Sequence, residues 1–279
     1  MTTYFSSFVS PYFWTVVVNQ ISIPFLVYSC IVPAILAIAF GTFLYLKTKK
    51  LSSFYLFLLC LAFAAYAIFD LACWFPSAPI ELGVWSVLDI FTVSFFVFSY
   101  WFLYSFIKER DLPFWQKVVT GSALVPTLVI TAMSINMNTF SGPSAVGIES
   151  LSVTNYNSVL FLLLILLIVV FSVKEYIKAG DSLNRKKIAL AGLGVIVFLF
   201  IFFSILVVTN FVIAVDLWGL GANGYVYTID SYSLFGMPIL LAFLGYLIAK
   251  YQAFDIRLIK SVAYMVILMI LLFVGLFFA

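Results

Sequence analysis

The sequence predicts an all-α fold, a polytopic membrane helical bundle of about eight transmembrane helices with its N-terminus outside. Composition is the first reason: 65% of the residues are hydrophobic and only 9% are charged, whereas a soluble domain has about 25% charged residues. Successive apolar blocks are the second, because about 20 apolar residues cross the roughly 30 Å of hydrocarbon as a helix. The blocks are apolar on every face, which is typical of membrane helices.

Charged, proline-rich and glycine-rich breaks separate the blocks. Residues 1–22 are aromatic and uncharged and are predicted to form an outer interfacial segment. The predicted spans are, in order, 23–46, 52–75, 84–107, 114–135, 158–173, 188–214, 232–249 and 262–279. We interpret 23–250 as a seven-helix membrane domain, 251–260 as a cytoplasmic coupling turn and 261–279 as an eighth helix. Because the chain stops at LLFVGLFFA without a polar tail, we expect this eighth helix to be truncated.

The positions of the basic residues indicate the orientation. Membrane proteins keep Lys and Arg on the cytoplasmic side. With the N-terminus outside, the predicted inner segments are 47–51, 108–117, 174–187 and 250–260. All 14 Lys and Arg residues fall in these segments. The charged residues in the predicted outer loops are all acidic, namely Glu81, Glu149, Asp216 and Asp230.

Two carboxylates lie inside predicted spans. Asp70 precedes the outer end of the second span by about five residues, and Asp89 follows the outer start of the third by about five, so both lie roughly 6–8 Å below the outer surface. A charged carboxylate in hydrocarbon costs about 2.5–3.5 kcal/mol, so such residues face the bundle interior and are candidates for function. No intramembrane Lys or Arg is available to pair with them, since Lys117 lies at the inner end of its span, and this favours protonation of at least one.

Aromatic and polar neighbours could turn these carboxylates into an outward-facing pocket. Trp74 and Trp85 lie one helical turn from Asp70 and Asp89, and an indole face attracts cations. The complete candidate ligand-binding set is Asp70, Trp74, Trp85, Asp89, Asn210 and Tyr232. It would hold a cation, a proton or an amphiphile. The alternative is that the acids are shallow and hydrated while the tryptophans form an ordinary interface belt.

The third span is rich in hydroxyl groups, which we attribute to hydrogen bonds between helices. These residues are Ser86, Thr92, Ser94, Ser99, Tyr100, Tyr104 and Ser105.

Catalytic motifs are absent from the sequence. It has no histidine and no HExxH, GxSxG or P-loop pattern. Cys30, Cys60 and Cys73 lack metal-type spacing and are interpreted as small buried hydrophobic residues. We therefore expect a chain that is not an enzyme, with no cofactor, no metal site and no nucleic-acid partner.

The stretch from Phe235 to Lys260, FGMPILLAFLGYLIAKYQAFDIRLIK, joins an apolar block to a charged turn. Together with LNRKKIALAGLGVIVFLF and KKLSSFYLFLLCLAFAAYAIFDLACW, it resembles the N-terminal seven-transmembrane (7TM) sensor region of bacterial histidine kinases. In that family the last helix runs into a cytoplasmic Tyr-x-x-Phe/Leu-Asp-Ile segment. The resemblance implies signal-coupling roles for Lys250, Tyr251, Phe254, Asp255 and Arg257.

The resemblance implies a membrane receptor domain in two-component signal transduction, in the plasma membrane of a prokaryote. Its partners would be the lipid bilayer, an unknown small ligand, a cytoplasmic kinase module absent from this chain and a second copy in a homodimer. The chain departs from the family in having no phosphoacceptor histidine and in carrying the block after Arg257. Two alternatives remain open: a small ion-coupled transporter that uses Asp70 and Asp89, and a structural membrane scaffold.

Overall fold

A computed structural model describes residues 23–73, 78–133, 135–141, 146–215 and 232–251, and these residues are predominantly helical. The helices are α1 (Ile23–Thr48), α2 (Leu51–Cys73), α3 (Ala78–Lys108), α4 (Phe114–Gly121), α5 (Leu124–Ala132), α6 (Leu151–Lys178), α7 (Ser182–Val215) and α8 (Gly236–Tyr251). A 3₁₀ turn, Tyr232–Phe235, precedes α8. Strands β1 (Met137–Ser141) and β2 (Val146–Glu149) form an antiparallel hairpin, which lies between the predicted spans 114–135 and 158–173.

Five helices of the described part are long and apolar enough to cross a membrane. The segments that meet this criterion are Tyr28–Thr48, Leu51–Ala72, Ser86–Lys108, Ser152–Lys178 and Ser182–Ile205. A helix suits these runs because it satisfies every backbone N–H and C=O within the segment. The helical architecture is confirmed, and its length and composition fit a multi-pass membrane protein in contact with lipid. The total of about eight spans and the outside N-terminus stay predictions, and residues 1–22 and 261–279 lie outside the described residues.

The long helices form a closed ring in the order α1, α2, α3, α6, α7, α8 and back to α1, since each packs against the next. Helix α3 also packs against α7 across the ring and against α5 on its other side. The interior between α2, α3 and α7 is filled by aromatic rings. Phe95 of α3 lies 4.8 Å from Phe202 and 5.7 Å from Phe198 of α7, between ring centroids. Phe63 and Tyr66 of α2 contact Phe95 at 6.3 and 6.1 Å.

Two polar contacts place the basic loops at one end of this ring. The Tyr55 hydroxyl, near the start of α2, donates to Asp111 at 2.8 Å in the loop after α3. Lys108 at the end of α3 pairs with Glu175 near the end of α6 at 2.5 Å. We call the part of the bundle that contains residues 47–50, 108–117 and 174–187 the basic end. The predicted inner segments within the described part therefore lie together.

Helix α8 runs antiparallel to α7 at close range. A Cβ added to Gly236 would lie 3.2 Å from Phe198, and one added to Gly194 would lie 2.9 Å from the Cβ of Phe243. Any side chain at Gly194 would therefore push the two backbones apart. Because residue numbers rise along α8 as they fall along α7, the last residue of α8, Tyr251, lies toward the basic end.

The predicted fourth span, 114–135, is not one continuous helix, and that prediction is corrected. Helix α4 ends at Gly121 and α5 begins at Leu124. Pro126 explains the break, because it has no N–H to donate to the carbonyl of Ser122, four residues earlier. That carbonyl instead accepts the Val125 N–H at 3.1 Å.

The hydroxyl groups of α3 also depart from expectation. Thr92, Ser94 and Ser105 donate to backbone carbonyls of their own helix at 2.6 to 3.0 Å. An interhelical bond does occur between the Tyr100 hydroxyl, which donates, and Gln116 of α4, at 3.4 Å. The expectation of bonds between helices is therefore wrong for those three hydroxyls, which satisfy themselves within one turn of α3.

Candidate functional site

A buried polar cluster lies at the end of the bundle opposite the basic end. It consists of Asp89 of α3, Asn157 of α6 and Asn136, which precedes β1, and we call it the Asp89 cluster. The side-chain amide N–H groups donate to the carboxylate: Asn157 to Oδ1 at 2.9 Å and Asn136 to Oδ2 at 3.1 Å. Both carboxylate oxygens thus accept a bond from a neutral amide. Asn136 and Asn157 are only 2% and 5% exposed, whereas Asp89 is half-buried.

The loop between α5 and α6 brings the two asparagines together. The β1–β2 hairpin returns the chain on itself, and the Ser150 N–H donates to the Asn136 carbonyl at 2.7 Å. Asn136 therefore sits at the start of α6, two turns before Asn157. On the other side, the Ser86 carbonyl of α3 accepts from Thr131 at 3.0 Å and from the Asn136 amide at 3.1 Å. The cluster ties α3, α5 and α6 to one another.

Helices α3 and α6 run parallel and in register between the Asp89 cluster and the basic end. Four of their contacts join residues that are 65 to 68 positions apart in the sequence. These contacts are Asp89–Asn157, Phe96–Phe161, Tyr104–Phe171 and Lys108–Glu175. At a rise of 1.5 Å per residue, Asp89 and Lys108 are about 28 Å apart, close to the thickness of the hydrocarbon core. The cluster therefore lies at the level of one membrane surface when the basic end lies at the other.

The side-chain amide oxygens of the cluster take no part in these hydrogen bonds. Asn136 uses its amide nitrogen for both the Ser86 carbonyl and Asp89. Within the described part of the chain, Oδ1 of Asn136 and Oδ1 of Asn157 are buried without a hydrogen-bond partner. An ionised carboxylate only accepts hydrogen bonds, so the amides must present nitrogen to it and turn their oxygens away. Leaving a buried polar atom unsatisfied costs about 1–3 kcal/mol, so this arrangement favours a further ligand.

Asp70, the other predicted carboxylate, has different neighbours. It is buried, and the Cys30 thiol of α1 points at its Oδ2 from 3.8 Å. The adjacent Phe69 ring lies 5.1 Å from Phe91, two residues beyond Asp89. The two carboxylates therefore sit at a similar level of α2 and α3, with Asp70 directed toward α1 and Asp89 toward α5 and α6.

Most of the remaining candidate ligand residues are only partly described. Trp74 lies outside the described residues, and Trp85 and Asn210 belong to α3 and α7 with side chains that are not described. Tyr232 begins the 3₁₀ turn before α8, is 46% exposed and lies with its ring tilted toward that of Phe235, at 6.2 Å between centroids.

The coupling residues lie at and beyond the end of α8. Lys250 and Tyr251 are the last two residues of the helix, and their side chains fall outside the described part. Phe254, Asp255 and Arg257 are likewise beyond it.

Asn136 and Asn157 were not predicted as site residues. Each stands one residue outside a predicted span, 114–135 and 158–173. A usable signal was present. Both are amides next to the ends of predicted spans that flank one polar loop, and a boundary moved by one turn places them at the depth of Asp89.

Comparison with protein-family models, with characterised proteins and with solved structures gives no match. The fold and the site therefore define a class only: a helical membrane protein with a buried carboxylate–amide cluster at the end opposite its basic loops.

Proposed function

We propose that this chain is a membrane signal-input domain that receives a stimulus at the Asp89 cluster and passes it to a cytoplasmic output at the end of α8. The observation that carries the proposal is the parallel pair α3–α6, which is fastened at both ends. Asp89 and Asn157 join the helices at one end, and Lys108 and Glu175 join them at the other. A ligand, a proton or a change in the membrane that alters the first contact acts on the same two helices that form the second.

Packing within the ring supports transmission to α8. Helix α6 packs against α7, where a Cβ at Gly192 would lie 3.0 Å from the Ser172 hydroxyl. Helix α7 in turn contacts α8 closely at Gly194. Close-packed helices of this kind transmit displacement instead of absorbing it. A shift of α6 relative to α3 therefore reaches the helix that precedes the predicted coupling turn.

The proposal includes an orientation and partners. All 14 basic residues of the sequence lie in segments that the positive-inside rule assigns to the cytoplasm. This supports an N-terminus outside, the Asp89 cluster near the outer surface and α8 ending in the cytoplasm. The resemblance of Phe235–Lys260 to histidine-kinase sensor regions supports a kinase module as the output, a prokaryotic plasma membrane as the location and a homodimer as the working state. Kinase activity would then reside outside this chain.

The aromatic interior favours a sensor over a carrier. Phe63, Phe95 and Phe198 are fully buried, and Phe202 is 1% exposed, in the middle of the ring. An ion-coupled transporter has to open a path past these rings in every cycle. A sensor needs only small helix movements of about 1–2 Å.

Distances between spin labels test the proposal. Cys30, Cys60 and Cys73 are replaced by Ala, and labels are attached at Lys178→Cys, the last residue of α6, and at Lys250→Cys in α8. We expect Asn157→Ala to change the mean label distance by about 1–2 Å in lipid nanodiscs, the usual size of helix shifts in switching proteins.

The matched control is Val159→Ala, two residues further along α6, whose side chain is 58% exposed on the outer face of the bundle. It should leave the label distance unchanged. Proteoliposomes of the wild-type chain should show no uptake of radiolabelled sodium or rubidium above that of empty vesicles. Sustained uptake, or an Asn157→Ala distance equal to that of the wild type, would rule out the sensor proposal.

A further inference from the structure

Within the described part of the chain, no cationic side chain lies near Asp89. Lys108, the nearest basic residue on α3, is about 28 Å away along the helix, and Lys174 on α6 is about 26 Å from Asn157. The sequence has no Lys or Arg from 51 to 107 or from 118 to 173. Among the described residues, the hydrogen bonds to the Asp89 carboxylate come from two neutral amides, and these do not neutralise its charge.

The side-chain acceptors that lie next to Asp89 without a hydrogen-bond partner, within the described part of the chain, are amide oxygens. The unpartnered Oδ1 atoms of Asn136 and Asn157 belong to the same amide groups whose nitrogens touch Asp89. Nitrogen and oxygen of one amide are about 2.2 Å apart, so both oxygens lie within roughly 5.5 Å of the carboxylate. Carboxylate and amide oxygens are the ligands that hard cations such as alkali and alkaline-earth ions prefer.

We propose that the Asp89 cluster binds one monovalent metal cation, Na⁺ or K⁺, through the carboxylate of Asp89 and the side-chain oxygens of Asn136 and Asn157. The net charge of the site favours a monovalent over a divalent ion. One carboxylate and two neutral amides balance a single positive charge, whereas a divalent ion would leave an uncompensated charge in a low-dielectric site. The half-buried position of Asp89 leaves the carboxylate accessible to ions.

Binding requires only side-chain rotation. The terminal torsion of asparagine is soft, and a half-turn exchanges the places of its nitrogen and oxygen without moving the backbone. In the arrangement seen here, the nitrogens face Asp89 and donate to it. With a cation present, the oxygens turn toward the ion, the amide N–H groups that held Asp89 are released, and Asn136 also gives up its bond to the Ser86 carbonyl. The ion thus replaces the direct Asp89–Asn157 contact between α3 and α6 by a contact through itself.

Equilibrium binding of ²²Na⁺ and of ⁸⁶Rb⁺, a substitute for K⁺, to the purified full chain in lipid nanodiscs tests the site. Choline chloride keeps the ionic strength constant. We expect saturable binding of one ion per chain for at least one of the two ions. Asp89→Asn should abolish it, and Asn136→Leu and Asn157→Leu should each weaken it by about 10- to 100-fold, the usual effect of removing a polar group from a metal site.

Glu109→Gln is the matched control, because it neutralises an exposed carboxylate at the basic end, away from the Asp89 cluster. Its binding should equal that of the wild type. Absence of saturable binding to the wild-type chain would overturn the proposal even if a variant failed to fold. So would equal binding by Asp89→Asn, or binding displaced by Ca²⁺ but not by Na⁺ or K⁺.

This site does not depend on the sensor function. Ion binding without any change in the spin-label distance would contradict the sensor proposal and leave the ion site standing. A change of the spin-label distance in Asn157→Ala, with no ion bound by the wild type, would contradict the ion site and leave the sensor proposal standing.

Discussion

Replacing Phe95 by Ala tests whether aromatic packing holds the ring of helices together. The Phe95 side chain is fully buried, and its ring meets those of Phe63, Tyr66, Phe198 and Phe202 at centroid distances from 4.8 to 6.3 Å. The variant removes the ring at which α2, α3 and α7 meet. We expect it to lower the free energy of unfolding without changing the helix content.

The size of the expected loss in unfolding free energy depends on whether the separated helices are surrounded by water or by hydrocarbon. In a soluble protein Phe→Ala in a core costs about 3–5 kcal/mol, a sum of lost transfer free energy and a cavity term. In a membrane the separated helices keep Phe95 in hydrocarbon, so the transfer part largely vanishes and packing remains. A cavity of about 100 Å³ at roughly 24 cal/mol per Å³ costs about 2.4 kcal/mol. We therefore expect a loss of about 2–3 kcal/mol.

Equilibrium unfolding in mixed micelles of increasing SDS fraction measures this loss. Phe200→Ala is the control, because its side chain on α7 is 58% exposed on the outer face of the ring. Its cost should stay within about 0.5 kcal/mol of zero, as for other exposed positions. Equal losses for the two variants, or a loss below about 0.5 kcal/mol for Phe95→Ala, would refute the assignment of Phe95 to a packed interior.

Three further predictions concern single contacts. Gly194→Ala should cost about 1–3 kcal/mol in the same unfolding assay because its Cβ would lie 2.9 Å from α8, whereas Gly180→Ala, with nothing within 4 Å, should be neutral. Partial burial opposes the charge of Asp111, but hydrogen bonds from Lys117 and others outweigh it and hold the pKa of Asp111 below its ordinary 3.8. The stabilisation by this exposed pair, under about 1 kcal/mol, is therefore full above pH 3.8 and disappears as Asp111 protonates at lower pH. It should show as a thermal-stability difference between the wild type and Lys117→Met that vanishes on acidification. Pro126→Ala should join α4 to α5, raise stability by up to about 3 kcal/mol and slow amide hydrogen exchange at the break, and unchanged exchange there would contradict the role assigned to this proline.

The length of the continuous apolar runs was sufficient to predict the long helices. The predicted spans 23–46, 52–75 and 84–107 agree with α1, α2 and α3 to within a few residues, since hydrocarbon leaves no alternative to a helix for such runs. The break before Pro126 was missed because hydropathy registers an apolar run and does not register one missing N–H.

The candidate site was predicted only in part. Asp89 stood out because a carboxylate in an apolar run is costly wherever the chain folds. Its partners are 47 and 68 residues away in the sequence, and amides at a membrane surface carry no such cost. Their approach depends on the β1–β2 hairpin and on the parallel packing of α3 with α6, both of which arise from tertiary structure.

The parallel pair α3–α6 has a mechanical consequence. Two fastenings about 28 Å apart, at Asp89–Asn157 and Lys108–Glu175, prevent one helix from sliding along the other. A slide of a single residue, 1.5 Å, would stretch the 2.9 Å bond at Asn157 past the 3.2 Å limit of a good hydrogen bond, and would pull on the ion pair at the same moment. Sliding of one helix along the other is therefore the movement of this pair with the higher free-energy cost. Rotation about the line that joins the two contacts leaves both intact and is therefore the less costly movement.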